Sequence, residues 1–372
     1  MATPIGFRVE DTQKLLSPSL VVDRGILARN LDTMVAMAKG ADRLRPHVKT
    51  HKMPAVVRLT EAKGVSKHKC ATIAEAEMVA AAGGADALLA YPVVGPNVGR
   101  LAALVRNFPG TVFRALVDDP GAAEELSAGM AEAGRPLPVL IDLEVGMGRT
   151  GVAPGDAAER LYELLDRLPN LVPDGISAYD GHIHDPDPAD RAASARPGVE
   201  ATLRLRDRLL AKGLPVPRLV LGGTPTFPVH AALDEPNVEC SPGTCTLQDV
   251  GYANKYPDLP FTPAAALLTR VISRPRPDRI CLDLGHKAVA ADPAGPRVFL
   301  PELPDARFVT HSEEHLVVET PLADRYRPGH ALLAFPSHIC PTCALHRRAY
   351  VVEDGRLVDE WEVAARDRVL TY

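Results

Sequence analysis

No apolar run in this sequence approaches the roughly 20 residues needed to span a bilayer. The opening MATPIGFRVEDTQK lacks the apolar centre of a signal peptide and carries acidic residues, so a cytoplasmic protein is expected. A basic excess is missing too. Lys and Arg number 42 against 47 Asp and Glu, a net charge of −5, which leaves no broad positive surface for the phosphates of a nucleic acid. There is no internal repeat and no low-complexity segment. Six cysteines (Cys70, Cys240, Cys245, Cys281, Cys340, Cys343) do not make a disulfide scaffold in 372 residues, so each reads as a small core residue, a metal ligand or a catalytic thiol. Membrane and nucleic acid are therefore not expected as partners. The chain is 46% hydrophobic and 24% charged, enough for a large domain and a smaller one.

From Leu44 onward, short runs rich in β-branched residues alternate with Ala-, Leu- and Glu-rich stretches of helical spacing, with Gly, Pro or Asp at the boundaries. The runs are LRPHVK, SKHKCAT, DALLAY, TVFRALV, PVLIDLEV, GISAYDGH, RLVLGG and VECSPGT. Eight strand-helix units predict an α/β fold of the (β/α)8 TIM-barrel type, with an open doubly wound sheet as the alternative. After Pro263 the runs AALLTRVIS, RICLDLG, ARFVTHS, HLVVET, HALLAF, RAYVVED and RLVDEWEV lie close together between turn residues and predict an antiparallel β domain. The expected division is an N-terminal segment 1–23, whose PSLVVD run pairs with the β domain, a barrel 24–262 and a C-terminal β domain 263–372.

In such a barrel the chemistry collects at the C-terminal ends of the strands. The runs deliver Lys49, Thr72, Tyr91, Arg149, Tyr179 with His182, the Gly222-Gly223-Thr224 turn and Ser241-Pro242-Gly243-Thr244 to that end. The two Gly-Thr turns follow strands seven and eight, where barrels often hold a phosphate. Glycine lets backbone N–H groups come close and threonine adds a donor, although the same pairs also make ordinary tight turns. The segment RPHVKTHK is heavily charged for a strand. Lys49, opposite a phosphate site, suits covalent attachment of pyridoxal phosphate, and Arg45, His47, His51 and Lys52 around it suggest an anionic ligand. A strand-terminal lysine reaching to solvent is the other reading.

His338 and Cys340 are two apart, so on an extended segment both side chains point to one side and can share an ion. Imidazole with thiolate favours zinc, with manganese as second choice. Cys340-Pro-Thr-Cys343 also reads as a C-x-x-C redox pair or half a structural zinc site, but the sequence has no second C-x-x-C and the motif is not expected to open a helix after a thioredoxin-like βαβ unit. His182 and His184, after Tyr179, are of the type that takes a proton from a substrate hydroxyl near pH 7; structural histidines are the alternative.

PHVKTHK, EVGMGRTGV, SAYDGH, LGGTPT, PSHICPT and RRAYVVEDGRLVDEW together resemble the D-threonine aldolase and D-serine dehydratase family over nearly the whole chain. The resemblance implies an alanine-racemase-like barrel with a C-terminal β domain, fold-type III pyridoxal-phosphate chemistry, a divalent metal and a homodimer. By position it implies that Lys49 carries the cofactor, that Arg149 lies beside the cofactor ring and that Tyr179 lies near its pyridine end. It further implies that Gly223, Thr224, Gly243 and Thr244 hold the phosphate and that His338 and Cys340 bind the metal. Two positions depart: Ala71 stands where some relatives have glutamine near a cofactor oxygen, and Cys245 where many have tyrosine. The activity implied is lyase cleavage of a D-3-hydroxy amino acid to glycine and an aldehyde. A D-serine dehydratase, yielding an oxo acid and ammonia, is the alternative. An amino-acid racemase, with no evident need of His338 and Cys340, comes last.

Overall fold

The eight runs that begin at Leu44 do close into a barrel, in a computed structural model that describes residues 6–372. The chain divides into two compact units. The first comprises 34–49, 54–243 and 367–372, and the second comprises the residues up to Thr33, 50–53 and 244–366. Strand β1 (Ser19–Asp23) belongs to the second unit. The next seven strands pair in parallel and in chain order: β2 (Lys67–Cys70), β3 (Asp86–Pro92), β4 (Val112–Val117), β5 (Leu137–Asp142), β6 (Leu171–Ala178), β7 (Leu219–Leu221) and β8 (Val238–Cys240).

Residues 44–47 fill the eighth place. Leu44 bridges Cys240 on β8 and His47 bridges Lys69 on β2, both in parallel. The Arg45 N–H donates to the Cys240 carbonyl at 2.9 Å, and the Lys69 N–H to the Pro46 carbonyl at 2.9 Å. This run makes bridges rather than a regular strand because Pro46 has no N–H for the ladder. The chain then tightens into the single turn Val48–Thr50, so Lys49 sits just past the strand rather than at its end.

Alternation along the strands sorts the barrel interior into levels. Asp86, Leu88 and Ala90 share one face of β3, and Arg114 and Leu116 share one face of β4. Nearest the N-terminal ends of the strands lies a layer of charge. Arg45, wholly buried, donates from Nε to Glu239 (2.6 Å) and from Nη1 to Asp86 (2.6 Å), and Lys67 Nζ reaches Glu239 at 2.8 Å. Arg114 joins Asp86 to Asp174, and Arg218 also pairs with Asp174. Above it Leu88, Leu116, Leu140 and Val220 form an apolar cluster, each side chain contributing roughly 1.5–3 kcal/mol on burial. Polar groups return at the C-terminal ends.

The second unit is built on one sheet in the order β12-β13-β10-β9-β1-β15-β16. Its strands are β9 (Ala265–Arg276), β10 (Arg279–Leu282), β11 (Val298–Phe299), β12 (Arg307–His311), β13 (Leu316–Glu319), β14 (Ala331–Pro336), β15 (Arg348–Glu353) and β16 (Arg356–Glu362). β14 pairs with β9 and with the short β11. The PSLVVD run provides β1, which lies antiparallel to β9 and parallel to β15, so the sheet is mixed rather than purely antiparallel. A helix, Ile339–Leu345, interrupts the strands where the runs gave no hint of one. Among the described residues no helix is long and apolar enough to cross a membrane.

Candidate active site

Lys49, Lys69, Asp142, Arg149, Ser177 and Tyr179 line a cleft at the C-terminal ends of the barrel strands, with Ala90 and Leu116 also lining it and His47 beside Lys49. Tyr179, just beyond β6, is its centre. The glycines around it leave it room: a Cβ added to Gly181 would fall 2.2 Å from the Tyr179 side chain, and one on Gly223 would sit tightly at 3.1 Å from the ring. Around this ring stand three cations, with Lys49 Nζ at 5.9 Å, Lys69 Nζ at 5.8 Å and the Arg149 guanidinium carbon at 4.9 Å from the centroid.

One carboxylate answers them in the lining. Asp142 is buried, which pushes its pKa up, while the Thr150 hydroxyl at 2.7 Å and the charge of Lys69 pull the other way. Burial is also the largest influence on Lys69 and brings its amine down to about 8. Ser177 Oγ is buried with no hydrogen-bond partner among the described residues, and so is Ser241 Oγ in the turn after β8. A cleft with surplus positive charge and the unspent hydroxyl of Ser177 fits an anionic, ring-bearing ligand such as pyridoxal phosphate.

The two Gly-Thr turns are stitched to each other. Gly243 N–H donates to Thr224 Oγ1 at 3.0 Å, and Gly223 N–H donates to Thr226 Oγ1 at 3.3 Å. The Thr226 hydroxyl in turn donates to Asp180 Oδ1 at 2.8 Å, and the other oxygen of Asp180 lies 2.7 Å from His230 Nε2. Gly222, at φ +67°, has no room for a side chain because a Cβ would meet the His230 ring at 2.2 Å. Both glycine amides expected to face a phosphate are thus engaged within the protein. The hydroxyl hydrogen of Thr224 remains available to a ligand.

The charged segment RPHVKTHK separates into different tasks. Lys49 and His47 line the cleft, and Lys49 N–H donates to His47 Nδ1 at 3.4 Å. The expectation that Arg45 also marks an anionic ligand is corrected, while His51 and Lys52 each make a backbone contact of their own. Arg45 neutralises Glu239 and Asp86 in the charge layer, His51 Nδ1 accepts from Met53 N–H at 3.0 Å, and Lys52 Nζ donates to the Ala365 carbonyl at 3.2 Å. Thr72 is a helix cap, its hydroxyl accepting from Glu75 N–H at 3.0 Å, and Tyr91 lies in β3 outside the cleft lining. His182 packs on the loop that carries Arg149: a Cβ on Gly146 would fall 2.6 Å from its Nε2. His184 is exposed.

In the second unit, His338 and Cys340 come together on a helix start rather than an extended segment. His338 is the N-cap of Ile339–Leu345, with Cys340 and Cys343 on the helix itself, so the C-x-x-C does open a short helix. Pro341 is tolerated in a first turn, and the buried carboxylate of Asp249 accepts from Ile339 N–H at 3.0 Å. Burial raises Asp249 to about 6. His338 Nδ1 lies 2.5 Å from Asp292 Oδ2, and Cys340 Sγ lies 3.3 Å from the Thr50 hydroxyl and 3.6 Å from that of Thr244. Burial lowers the pKa of His338, but the interactions with Cys340 and Asp292 outweigh it and bring the ring to about 9. With Nδ1 held by a carboxylate, Nε2 is the nitrogen left to bind an ion, the arrangement usual for metal-ligating histidine. Among the described residues no group of three or more His, Cys, Asp or Glu is gathered around one point.

Sequence reasoning missed Lys69, Asp142, Ser177, Asp180, His230 and Asp292. KHKC did hold a signal, since Lys67 and Lys69 fall on one face of a strand that must be buried. Asp292 lies 46 residues from His338 and left none.

Residues 22–246 match the alanine racemase N-terminal domain family, and residues 264–352 match a putative serine dehydratase domain. D-threonine aldolase of an Arthrobacter species is 32% identical over 355 residues, covering 94% of this chain and 92% of its own length. 3-Hydroxy-D-aspartate aldolase of Paracoccus denitrificans is 29% identical over 372 residues, covering 96% and 94%. The crystal structure of D-threonine aldolase from Filomicrobium marinum superposes with a TM-score of 0.88 at 30% identity, covering 98% of this chain and 99% of that one.

Proposed function

The chain belongs to the alanine racemase N-terminal domain family, among the pyridoxal-phosphate lyases related to D-threonine aldolase, and we propose that it cleaves D-3-hydroxy amino acids to glycine and an aldehyde. The observation that carries this reading is the Lys49 amine in a cleft where three cations ring Tyr179 and one carboxylate answers them. When bound through Lys49, pyridoxal phosphate supplies an electron sink for the bond broken at the α-carbon. A divalent ion, zinc before manganese, would be held by His338 and Cys340 and supplies a Lewis acid for the β-hydroxyl.

The chain's own groups do the rest. Tyr179 and Arg149 fix the plane of the ring, and the phosphate lies between the turns Gly223-Thr224 and Gly243-Thr244, taking its hydrogen bonds from the threonine hydroxyls because the Gly223 and Gly243 amides are engaged within the protein. His182 takes the proton of the substrate hydroxyl, with His184 as the alternate base; imidazole suits transfer near pH 7. Family likeness supports extending the reading to a homodimer acting in the cytoplasm on a free D-amino acid.

A second reading, D-serine dehydratase, is favoured by the thiol at position 340 and by the match of residues 264–352 to a putative serine dehydratase domain. Incubation with D-threonine and with D-serine, zinc or manganese present or withheld, separates the two by their products. Glycine and acetaldehyde from D-threonine are expected. Ammonia and an oxo acid from either substrate, without glycine, would overturn the aldolase in favour of the dehydratase.

A further inference from the structure

We propose that Lys69 is a second imine-forming lysine of the cleft, a covalent site for small aldehydes. Its amine and that of Lys49 line the same space and stand at nearly equal distances from the Tyr179 ring, 5.8 and 5.9 Å. Lys67, its neighbour on the same face of β2, is spent on Glu239 and the Asp42 carbonyl. Lys69 has no carboxylate within ion-pair distance among the described residues.

The groups that bear on it are known. Asp142 on β5 and Asp180 after β6 favour its ammonium form, while Lys49 and Arg45 on the 44–50 segment disfavour it. Burial outweighs them all and brings the amine to about 8. The free amine is the nucleophile. An ordinary lysine, with pKa near ~10.4, is free in roughly one molecule in 2,500 at pH 7, whereas at about 8 it is free in roughly one in ten. In the reaction the amine nitrogen bonds to the aldehyde carbon, the carbonyl oxygen takes both amine hydrogens and leaves as water, and nothing is oxidised or reduced.

The inference rests on the reading above only for its first arm. In that arm the full-length protein and its K49A, K69A and K49A/K69A variants are exposed to pyridoxal phosphate, reduced with borohydride and mapped by peptide mass. Wild type carries the pyridoxyl mass on Lys49, K49A carries it on Lys69, and the double variant carries none in the cleft. In the second arm wild-type protein meets acetaldehyde and cyanoborohydride at pH 7 without cofactor, so no variant need fold. Lys69 is expected to be ethylated at least about tenfold faster than exposed Lys39. Ethylation of Lys69 no faster than Lys39, or a K49A protein unmodified at Lys69, overturns the proposal. A wild-type protein that takes no pyridoxyl on Lys49 while acetaldehyde still finds Lys69 overturns the cofactor reading instead.

Discussion

His230 Nε2 lies 2.7 Å from Oδ2 of Asp180, and both side chains are buried behind the turn that follows β7. The other oxygen of Asp180 takes the Thr226 hydroxyl, which accepts Gly223 N–H. Since Asp180 directly follows Tyr179, one carboxylate ties the central ring of the cleft to the Gly-Thr turn proposed to hold phosphate. Removing either partner leaves the other a buried polar group without its hydrogen bond, which costs roughly 1–3 kcal/mol.

D180N is therefore expected to lose stability of that order and to weaken pyridoxal phosphate binding more than it weakens pyridoxal, which has no phosphate to lose contact with. Burial alone would raise the pKa of Asp180, but His230 and Thr226 hold it below the ordinary 3.8. With the folded value depressed, the stabilisation is complete above the unfolded value and disappears as pH falls through the folded one. Urea midpoints of wild type and D180N measured from pH 6 downward should converge below pH 3.8; parallel curves would show that Asp180 carries no such coupling.

Glu239 obeys the same sign over a wider window. Burial pushes its carboxyl up, yet Arg45 and then Lys67 outweigh burial and bring it to about 2 from an ordinary 4.5. Its contribution should be whole above pH 4.5 and fade between there and about 2. E239Q leaves Arg45 buried with Asp86 alone and should cost roughly 3–5 kcal/mol near neutral pH, whereas E239Q with R45M should cost less than the sum of the two. Additive losses in urea unfolding would refute the coupling.

These two charged clusters show where the sequence was readable and where it was not. The eight barrel runs stood out because β-branched stretches were punctuated by Gly, Pro and Asp, and seven of the later runs became β9, β10 and β12 to β16 for the same reason. β11 is two residues long and leaves no periodicity. Arg45 looked like a ligand contact because residue type does not reveal which level of a barrel a side chain occupies, and its partners Asp86 and Glu239 lie 41 and 194 residues away. Lys49, Arg149 and Tyr179 could be expected on one face because they follow strand ends, and they do line one cleft; the roles given to them are proposals. His338 and Cys340 stand at a helix start rather than on the extended segment expected, since a proline between two cysteines suits the first turn of a helix as well as a strand.

The six thiols should separate sharply in reactivity. Cys70, Cys240, Cys245, Cys281 and Cys343 are buried, and Cys340 alone is partly exposed. Burial pushes the thiol of Cys343 well up and that of Cys240 to about 12, so neither offers thiolate at neutral pH. Iodoacetamide should add one carbamidomethyl group to the native protein, on the Cys340 peptide, and zinc should slow it. Equal labelling of Cys343 would show that the helix start is open to solvent on both sides.

Asp292 touches the proposed metal pair only through His338, at 2.5 Å from Nδ1. A carboxylate there fixes the ring orientation and leaves Nε2 as the donor, and loss of such a partner typically lowers metal affinity by about 10- to 100-fold. D292N keeps the size of the side chain but removes the charge that draws on the ring, so zinc affinity measured by competition with a chromogenic chelator should fall within that range. Both Asp292 and His338 are partly exposed, so folding stability should change little by comparison. H338A, which removes a proposed ligand, should lose more affinity than D292N. If D292N binds zinc as wild type does while H338A does not, Asp292 is a surface neighbour and the ring is oriented by Cys340 and the helix start alone.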